Sequence, residues 1–533
     1  MRTTPLSLLG ILFLLPAVGC TVGPDYRTPE PQVSPAFAAA PPGVTTRPAD
    51  LARWWTSLND PLLNSLVDRA VQSNLDLKIT EARVREARAL RGVVAADAWP
   101  QLGVSGSYSY KGDSLNARPE AKTSGAARKI QALSSAANAL GMAQQAASGG
   151  TGLLQNMLSQ ASRSTAGQGA SIPREQNLFQ AGFDATWELD VFGGVRREVE
   201  AAEADVQVAQ ESHRDVLVSL LSEVARNYVE ARGFQQRIEI ARQNIEAQQE
   251  VVELASTKFD AGVTSELDVT QARAQLANTR AAVPVLETQM KRAVHRLGVL
   301  LGGEPAALLV EMSEARPIPK APPDIPAGLP SDLLRRRPDI RRSERELAAA
   351  TARIGAATAD LFPKFSLTGK FATQTHDRKY FLDANSLLWS VGPSVSWPIF
   401  DAGRIRANIA VQNARQEQAA RGYESAVLAA LEEVENSLVA CQEEAIRQHH
   451  LIEAADANRR AMALANERYV KGLDSFLGVL DSERSLYASE DQLAASETTA
   501  VTSLIALYKA LGGGWEVEDG ATIGLAQKPF QNP

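Results

Sequence analysis

Four segments of the chain alternate apolar and polar residues with the two-residue period of a β-strand. They are residues 102–110, 179–190, 365–371 and 389–397, and aromatic residues stand near their ends. About ten alternating residues of this kind are typical of a strand that crosses an outer membrane within a β-barrel. Each segment alone is a weak indication, because any half-buried strand alternates in the same way.

Long helices are predicted for most of the remaining chain. Residues 195–258 and 404–468 contain no proline and one glycine each, and a helix of either length would run about 95 Å. Returning helices are predicted over 265–301 and 475–511. Each begins just after a glycine, at the position where a left-handed helix cap is favoured. Pro284 is expected to kink or end the first returning helix.

The chain contains the same unit twice, each unit with two strands followed by two long helices. Residues 258–269 recur as 468–479, and Leu301-Gly302-Gly303 recurs as Leu511-Gly512-Gly513. A repeat of this size indicates a duplication. We place the first repeat at 61–302, with one helix before its strands, and the second at 331–513. A proline-rich linker joins them over 303–330.

Three segments lie outside this repeated pattern. Residues 111–176 form a long insert between the first two strands, rich in Ala, Gly, Ser and Gln. Residues 20–60 are interpreted as an N-terminal tether with an equatorial segment, and residues 514–533 as a C-terminal equatorial tail.

Four strands cannot close a barrel around a lumen, and an open sheet edge in lipid leaves backbone groups unpaired. The chain must therefore oligomerise to complete a membrane domain. Pro393 lacks a backbone donor, so the fourth strand is expected to be interrupted or bulged there.

The first 19 residues have the features of a signal peptide. Arg2 supplies the positive charge, residues 8–15 the apolar core, and small residues precede Cys20. This arrangement resembles the lipobox of bacterial lipoproteins, in which the cysteine carries the lipid, and Thr21 after it implies the outer membrane. The alternative is an ordinary secretory signal with Cys20 incidental. No later segment offers 18 or more uninterrupted apolar residues, so transmembrane helices are not predicted.

Composition and motifs point away from nucleic acid binding and catalysis. The formal net charge is −7 and there is no sustained basic stretch. The five histidines have no metal-ligand spacing, and His449 and His450 are expected to point to different faces of their helix. The paired glycines lack the Lys-Ser/Thr of a phosphate loop. We therefore predict no enzyme activity, no metal and no cofactor apart from the covalent lipid on Cys20.

Several motifs together carry a family resemblance. They are Cys20-Thr21-Val22-Gly23-Pro24-Asp25-Tyr26, Trp54-Trp55, the arginine-rich run from Gly328 to Ile340, and Gly392-Pro393 with Trp397-Pro398-Ile399-Phe400. The chain resembles the TolC-like outer-membrane factors of tripartite efflux pumps, in their NodT/OprM-type lipoprotein branch. The resemblance covers nearly all of the chain after the signal peptide, and the insert at 111–176 is longer than the family's usual external loop.

The resemblance implies a mainly α-helical fold with a transmembrane β-barrel portion. Each protomer would give four strands to a twelve-stranded barrel in a homotrimer, and its helices to a long periplasmic tunnel. Such a protein is a passive duct in the outer membrane that exports small molecules and extends into the periplasm. It would carry a palmitate-type lipid anchor and work with a periplasmic adapter protein and an inner-membrane transporter.

A gate is predicted near the start of the second returning helix. Leu477, Asp481 and Arg484 are spaced at i, i+4 and i+7 and so share one helix face. By resemblance they match the residues that close the periplasmic aperture in the family. Around a threefold axis they would form an apolar, a carboxylate and a guanidinium ring, and opening would exchange the Asp481–Arg484 pairs for adapter contacts.

The first repeat does not duplicate this charged pair, since Leu267, Gln271 and Ala274 stand at the matching places. The alternative role for Asp481 and Arg484 is a solvated ion pair, worth a few tenths of a kcal/mol.

The turns before the returning helices are the predicted docking sites for the adapter's helical hairpin. They are Gly262-Val263-Thr264-Ser265 and Gly472-Leu473-Asp474-Ser475.

Two other functions share parts of this pattern. An outer-membrane channel for type I protein secretion would have the same fold. A coiled-coil periplasmic adapter would also combine a lipobox with long helices, but it would lack four alternating strands placed two per repeat.

Overall fold

The computed structural model describes residues 21–31, 33–38, 51–112, 175–320, 322 and 328–516. Cys20, the signal peptide and residues 517–533 of the predicted tail lie outside the described residues. So do residues 113–174, which make up nearly all of the predicted insert.

The two repeats have the same order of elements. The first contains α1 (Pro61–Ser73), α2 (Leu75–Ala96), β1 (Gln101–Gly112), β2 (Glu175–Leu189), α3 (Gly194–Asp260) and α4 (Glu266–Leu300). The second contains α5 (Pro330–Arg336), α6 (Pro338–Ala359), β3 (Lys364–Thr375), β4 (Leu387–Ser396), α7 (Arg404–Val470) and α8 (Phe476–Ala510). α3 and α7 have 67 residues each, and α4 and α8 have 35 each. The predicted strands, long helices and duplication are confirmed, whereas the helix pair before each pair of strands was only partly anticipated.

The chain divides into two compact units. The sheet unit contains the described parts of residues 1–27, 88–204 and 348–418. The helix unit contains those of residues 28–87, 205–347 and 419–533. Both α3 and α7 contribute residues to each unit.

The sheet unit contains one four-stranded antiparallel sheet in the order β1-β2-β3-β4. Its first and last pairs have the same register, since Gln101 faces Thr186 in one and the matching Lys364 faces Ser396 in the other. The alternating apolar residues of all four strands lie on one face of the sheet, because Val104 pairs with Phe183, Phe183 with Phe371, and Phe371 with Trp389.

The expected break at Pro393 is wrong. β4 runs without interruption from Leu387 to Ser396, and Pro393 lies opposite Leu367 in a continuous register. β4 is an edge strand in the protomer, and an edge strand tolerates a residue without a donor because one of its sides is unpaired.

The expectation for Pro284 is wrong as far as a helix end is concerned, because α4 continues through it to Leu300. Pro284 and Arg280 are both exposed, so water can reach the Arg280 carbonyl that loses its intrahelical donor. The Pro284 carbonyl accepts a hydrogen bond from the Thr288 hydroxyl at 2.8 Å.

The helix unit has its main core where the ends of α4 and α8 pack against α1, α3 and α7. Trp54 stacks on Tyr508 with ring centroids 5.2 Å apart, and Leu63, Leu221 and Leu297 are fully buried there. The start of the proline-rich linker joins this core through Leu308, Met312 and Ile318. This part of the linker is therefore packed rather than free.

No helix in the described parts of the chain combines the length and apolar character that a membrane span requires.

Candidate functional site

The candidate site consists of two helix turns, which we call tip 1 (residues 261–265, between α3 and α4) and tip 2 (residues 471–475, between α7 and α8). Gly262 and Gly472 have φ angles of +72° and +70°, as predicted for left-handed helix caps. In tip 1 the Gly262 and Val263 amides donate to the carbonyls of Phe259 and Lys258, both at 2.8 Å. In tip 2 the Gly472 and Leu473 amides donate to those of Tyr469 and Arg468, at 3.1 and 2.9 Å. The two tips therefore share one backbone conformation.

The side chains around tip 2 form a small apolar cluster, and no matching cluster forms around tip 1 within the part of the chain that the structure describes. Tyr469 and Phe476 lie with ring centroids 5.6 Å apart, and Phe476 is 2% exposed. The matching residues that flank tip 1, Phe259 and Glu266, are both exposed. Val479, Leu480 and Ala272 complete the tip 2 cluster.

Lys258 ties the two hairpins together at this level. Its Nζ donates to the Tyr469 carbonyl at 3.0 Å and lies 3.7 Å from the centre of the Tyr469 ring. A cation over an aromatic face is attracted by the ring quadrupole, so the end of α3 is held against the end of α7.

The predicted docking residues combine exposed apolar side chains with locally satisfied polar ones. Val263 and Leu473 are exposed at the two tips. Thr264 hydrogen-bonds to Asp268, and Asp474 accepts from Arg468 Nε at 3.1 Å. Ser265 and Ser475 stand at the N-caps of α4 and α8 in an extended conformation, without a capping bond from their side chains.

The three predicted gate residues lie on the exposed side of α8. Leu477, Asp481 and Arg484 are all exposed, whereas the opposite side of the same turns is buried. Arg484 Nε donates to Gln275 Oε1 of α4 at 2.8 Å, a contact that the sequence did not predict. Among the described residues Asp481 forms no ion pair with Arg484 within the protomer.

The buried side of α8 contains a carboxyl group that sequence reasoning missed. Glu483 is 4% exposed, and its Oε1 has no hydrogen-bond partner within the described structure. Burial raises the pKa of Glu483 to about 7. Gln248 of α3 is also buried, and neither atom of its side-chain amide has a partner among the described residues. The spacing of Phe476, Val479, Leu480 and Glu483 places the carboxyl on the apolar face and could have revealed it.

A second arrangement holds the segment that follows Cys20 against the sheet unit. Arg197 of α3 is buried and donates to the Val22 carbonyl at 3.2 Å and to Asp25 Oδ1 at 2.6 Å. The Val22 amide donates to the Phe192 carbonyl at 3.2 Å. Gly193 has a φ of +79°, and a Cβ there would lie 2.9 Å from Thr21 Cα. Thr21 therefore lies against Gly193, four residues beyond the end of β2.

The prediction that His449 and His450 point to different faces of their helix did not anticipate that their rings share a partner. Both side chains approach one carboxylate, Glu453, at 3.5 and 3.4 Å. Side chains of this length converge although their Cβ atoms point apart along the helix. Across the described residues, no group of three or more His, Cys, Asp or Glu is placed to hold a metal ion.

Comparison with known proteins identifies the family. The model of the outer membrane efflux proteins matches residues 66–303 and 329–513, which are most of both repeats. The chain belongs to the outer membrane efflux protein family. This efflux protein is 29% identical to nodulation protein T of Rhizobium leguminosarum bv. trifolii over 504 residues, covering 94% of this chain and 96% of the relative.

Two further comparisons agree. The toluene efflux pump outer membrane protein TtgI of Pseudomonas putida is 30% identical to the efflux protein over 520 residues, covering 96% of this chain and 98% of the relative. The solved outer-membrane channel OprN matches with a TM-score of 0.79 at 35% identity, covering 93% of this chain and all of that one.

These findings confirm the predicted family, fold class and outer-membrane location. The efflux protein is an outer-membrane channel for export. Its relatives are efflux channels rather than enzymes. The adapter alternative does not fit, because the four strands come two from each repeat and form one sheet.

Proposed function

We propose that three copies of this chain form the outer-membrane duct of a tripartite efflux pump. The duct is passive, and an inner-membrane transporter with its periplasmic adapter delivers small molecules into it. The channel is anchored by a lipid on Cys20 and is closed at rest by the turns of α8 that carry Leu477, Asp481 and Arg484.

The two open edges of the sheet carry the trimer proposal. β1 and β4 are the edge strands of a sheet of only four, and alternate strands run in opposite directions. The edge strand β4 of one copy can therefore pair antiparallel with β1 of the next. Three copies give a closed sheet of twelve strands, which leaves no unpaired backbone edge in lipid.

The two faces of the sheet support its placement in a membrane. Leu102, Val104, Val391 and Val395 are apolar and exposed on one face. The opposite face contains Ser107 and Ser394, with Asp184 directly opposite Lys370. An apolar outer face and a polar lumen are the arrangement of a water-filled barrel.

The hydrogen bonds from Arg197 to Val22 and Asp25, in the segment that follows Cys20, support the proposed lipid anchor. Because Thr21 is fixed just beyond the end of β2, acyl chains on Cys20 would start at the membrane surface on the side where β2 ends. Labelled palmitate recovered in the wild-type protein, and lost from a Cys20→Ser variant, tests this modification.

The two tips supply the docking and gating surfaces. Their exposed Val263 and Leu473 offer apolar contacts for the helical hairpin of an adapter. The gate residues follow within the first three turns of α8. The names of relatives refer to a toluene pump and a cation efflux system, which supports small molecules or ions rather than proteins as cargo.

The decisive experiment for the trimer is the native mass of the detergent-extracted protein. We expect a mass of three chains, with bands that resist dissociation in SDS until heated. A monomer in mild detergent that also fails to conduct in planar bilayers would contradict the proposal.

A further inference from the structure

Within the protomer, aromatic side chains are in contact where β2 of the first repeat ends beside the start of β3 of the second repeat. We call this end of the sheet its base. Phe192, which follows β2, stacks on Phe362, which precedes β3, with ring centroids 4.6 Å apart. Phe365 at the start of β3 adds a tilted contact at 6.4 Å. These three rings lie at the end of the sheet where β2 ends and the neighbouring β3 begins.

Among the described residues, the counterparts of these three rings have no such aromatic partner. Phe400 follows β4 and is 89% exposed. It matches Phe192 with a segment two residues shorter, since it stands three residues after Trp397 whereas Phe192 stands five residues after Trp187. Trp99 precedes β1 as Phe362 precedes β3, and it is 72% exposed. Leu102 matches Phe365 and is also exposed. They lie at the same end of the sheet but at its two open edges.

The duplication preserves side-chain contacts at this end of the sheet as well as backbone register. The indole Nε1 of Trp187 donates to the Ala98 carbonyl at 3.0 Å, and Nε1 of the matching Trp397 donates to the Leu361 carbonyl at 3.0 Å. The β1–β2 pair and the β3–β4 pair are therefore equivalent at this end of the sheet, and the β2–β3 junction is the contact between two such pairs within the protomer.

We propose that the seam between protomers repeats the junction between β2 and β3. Phe400 of one copy stacks on Trp99 and Leu102 of the next. β4 pairs with β1 in the register that β2 and β3 have within the protomer. Asp184 faces Lys370 and Ala181 faces Thr373 inside the protomer. Replacing each residue by its repeat counterpart places Ser394 opposite Ser107 and Val391 opposite Tyr110. This inference rests on the trimer proposed above and specifies its interface.

The sidedness of the strands agrees with this register and excludes slips by an odd number of residues. Val391 and Tyr110 both belong to the apolar face, and Ser394 and Ser107 both belong to the polar face. A slip by one residue would place apolar side chains beside polar ones on both faces of the barrel, because side chains alternate between the faces with a period of two. The register also places Pro393 opposite Tyr108. Since a proline can donate to neither neighbour, its strand loses one ladder bond there, and the aromatic contact at the base adds stabilisation close to that gap.

Disulfide trapping tests the register. Besides Cys20 the chain has one cysteine, Cys441, which is a free thiol in α7. In a Cys441→Ala background, the double variant Ser394→Cys/Ser107→Cys is oxidised in outer membranes and separated on a denaturing gel. Directly opposed residues have Cα atoms within disulfide range, whereas positions displaced by two residues are too far apart. We expect covalent dimers and trimers from this pair and little or none from the matched controls Ser394→Cys/Ser105→Cys and Ser394→Cys/Ser109→Cys.

Each result has a separate meaning. Stronger crosslinking in either control than in the opposed pair would overturn the register while leaving the trimer intact. Absence of any trimer by native mass would overturn the trimer itself. A trimer by native mass that gives no crosslink with any pair would also overturn the proposed pairing of β4 with β1.

Alanine substitution tests the aromatic contact. Phe400→Ala and Trp99→Ala should each lower the temperature at which SDS-treated trimers dissociate by several degrees, and the double variant should lower it by no more than the larger single effect. Phe192→Ala is the matched control, because it removes a stack inside one chain and so should disturb the sheet unit rather than the protomer contact alone. Fully additive effects of Phe400→Ala and Trp99→Ala would overturn the stack.

Discussion

Tip 1 and tip 2 have the same backbone but differ in what lies beneath them. Both turns place a glycine near φ +70° and satisfy the same carbonyls. Beneath tip 2 lie Tyr469 and the buried Phe476, whereas tip 1 has the exposed Phe259 and Glu266 at the matching positions. The turn is fixed by its glycine, so the duplicated side chains were free to diverge. We infer that the buried Phe476 anchors tip 2, whereas the hairpin that carries tip 1 is tied to tip 2 through Lys258.

The largest difference should appear when the aromatic anchor is removed. Phe476→Ala deletes a buried ring, a change that costs about 3–5 kcal/mol in a protein core. The matched Glu266→Ala in tip 1 removes an exposed side chain and should cost almost nothing. Amide hydrogen exchange over the first turns of α8 and of α4 measures both, and equal protection losses in the two variants would contradict the comparison.

The buried carboxyl of Glu483 should make tip 2 dependent on pH. Burial raises its pKa from 4.5 to about 7, so the packed tip holds a proton that a loosened tip releases. The packed arrangement is therefore most stable below pH 4.5 and loses stability as the pH rises through 7. No charged neighbour contributes to this shift. About two turns further along α8, Glu490 pairs with Arg459 of α7 and Asp491 pairs with Arg237 of α3.

Hydrogen exchange at the start of α8, corrected for intrinsic rates, should quicken between pH 5 and 8 in the wild type. Glu483→Gln should abolish this dependence, because the amide does not titrate. The corresponding turns of α4, where the exposed Arg273 replaces the glutamate, provide the internal control. An unchanged pH profile in the Gln variant would show that another group titrates.

Backbone strain at the tips should have a smaller effect. A Cβ at Gly472 meets no atom within 4 Å, so Gly472→Val is disfavoured through its positive φ, at a cost of about 1–2 kcal/mol. We expect trimers to remain intact and efflux to fall because adapter docking weakens. Gly422→Val is the control, since Gly422 also has open space around it but lies within α7.

Crosslinking to the adapter from a cysteine at Ser475 measures docking directly. If both crosslinking and efflux persist in Gly472→Val, tip 2 is not a docking site. Gly262→Val in tip 1 imposes the same strain and shows whether the two tips contribute equally.

The patterns that are local in sequence were predicted well, and contacts between helices were not. The strands follow from a period of two with aromatic ends, and the helices from long stretches without proline. The Arg484–Gln275 bond was missed because it depends on how α8 is rotated against α4. The errors at Pro284 and Pro393 have one cause, since each proline lies where the protomer tolerates a missing amide, on an exposed helix face or on the edge strand β4.

The most direct test of a gate in the second repeat is single-channel conductance in planar bilayers. Asp481→Ala/Arg484→Ala removes two exposed charges whose effect on protomer stability should be a few tenths of a kcal/mol, and it leaves Leu477 as the only proposed ring. We expect conductance to rise above wild type. Gln271→Ala, at the position of α4 that matches Asp481, should leave it unchanged. Wild-type conductance in the double variant would place the gate elsewhere and leave these residues as surface charges.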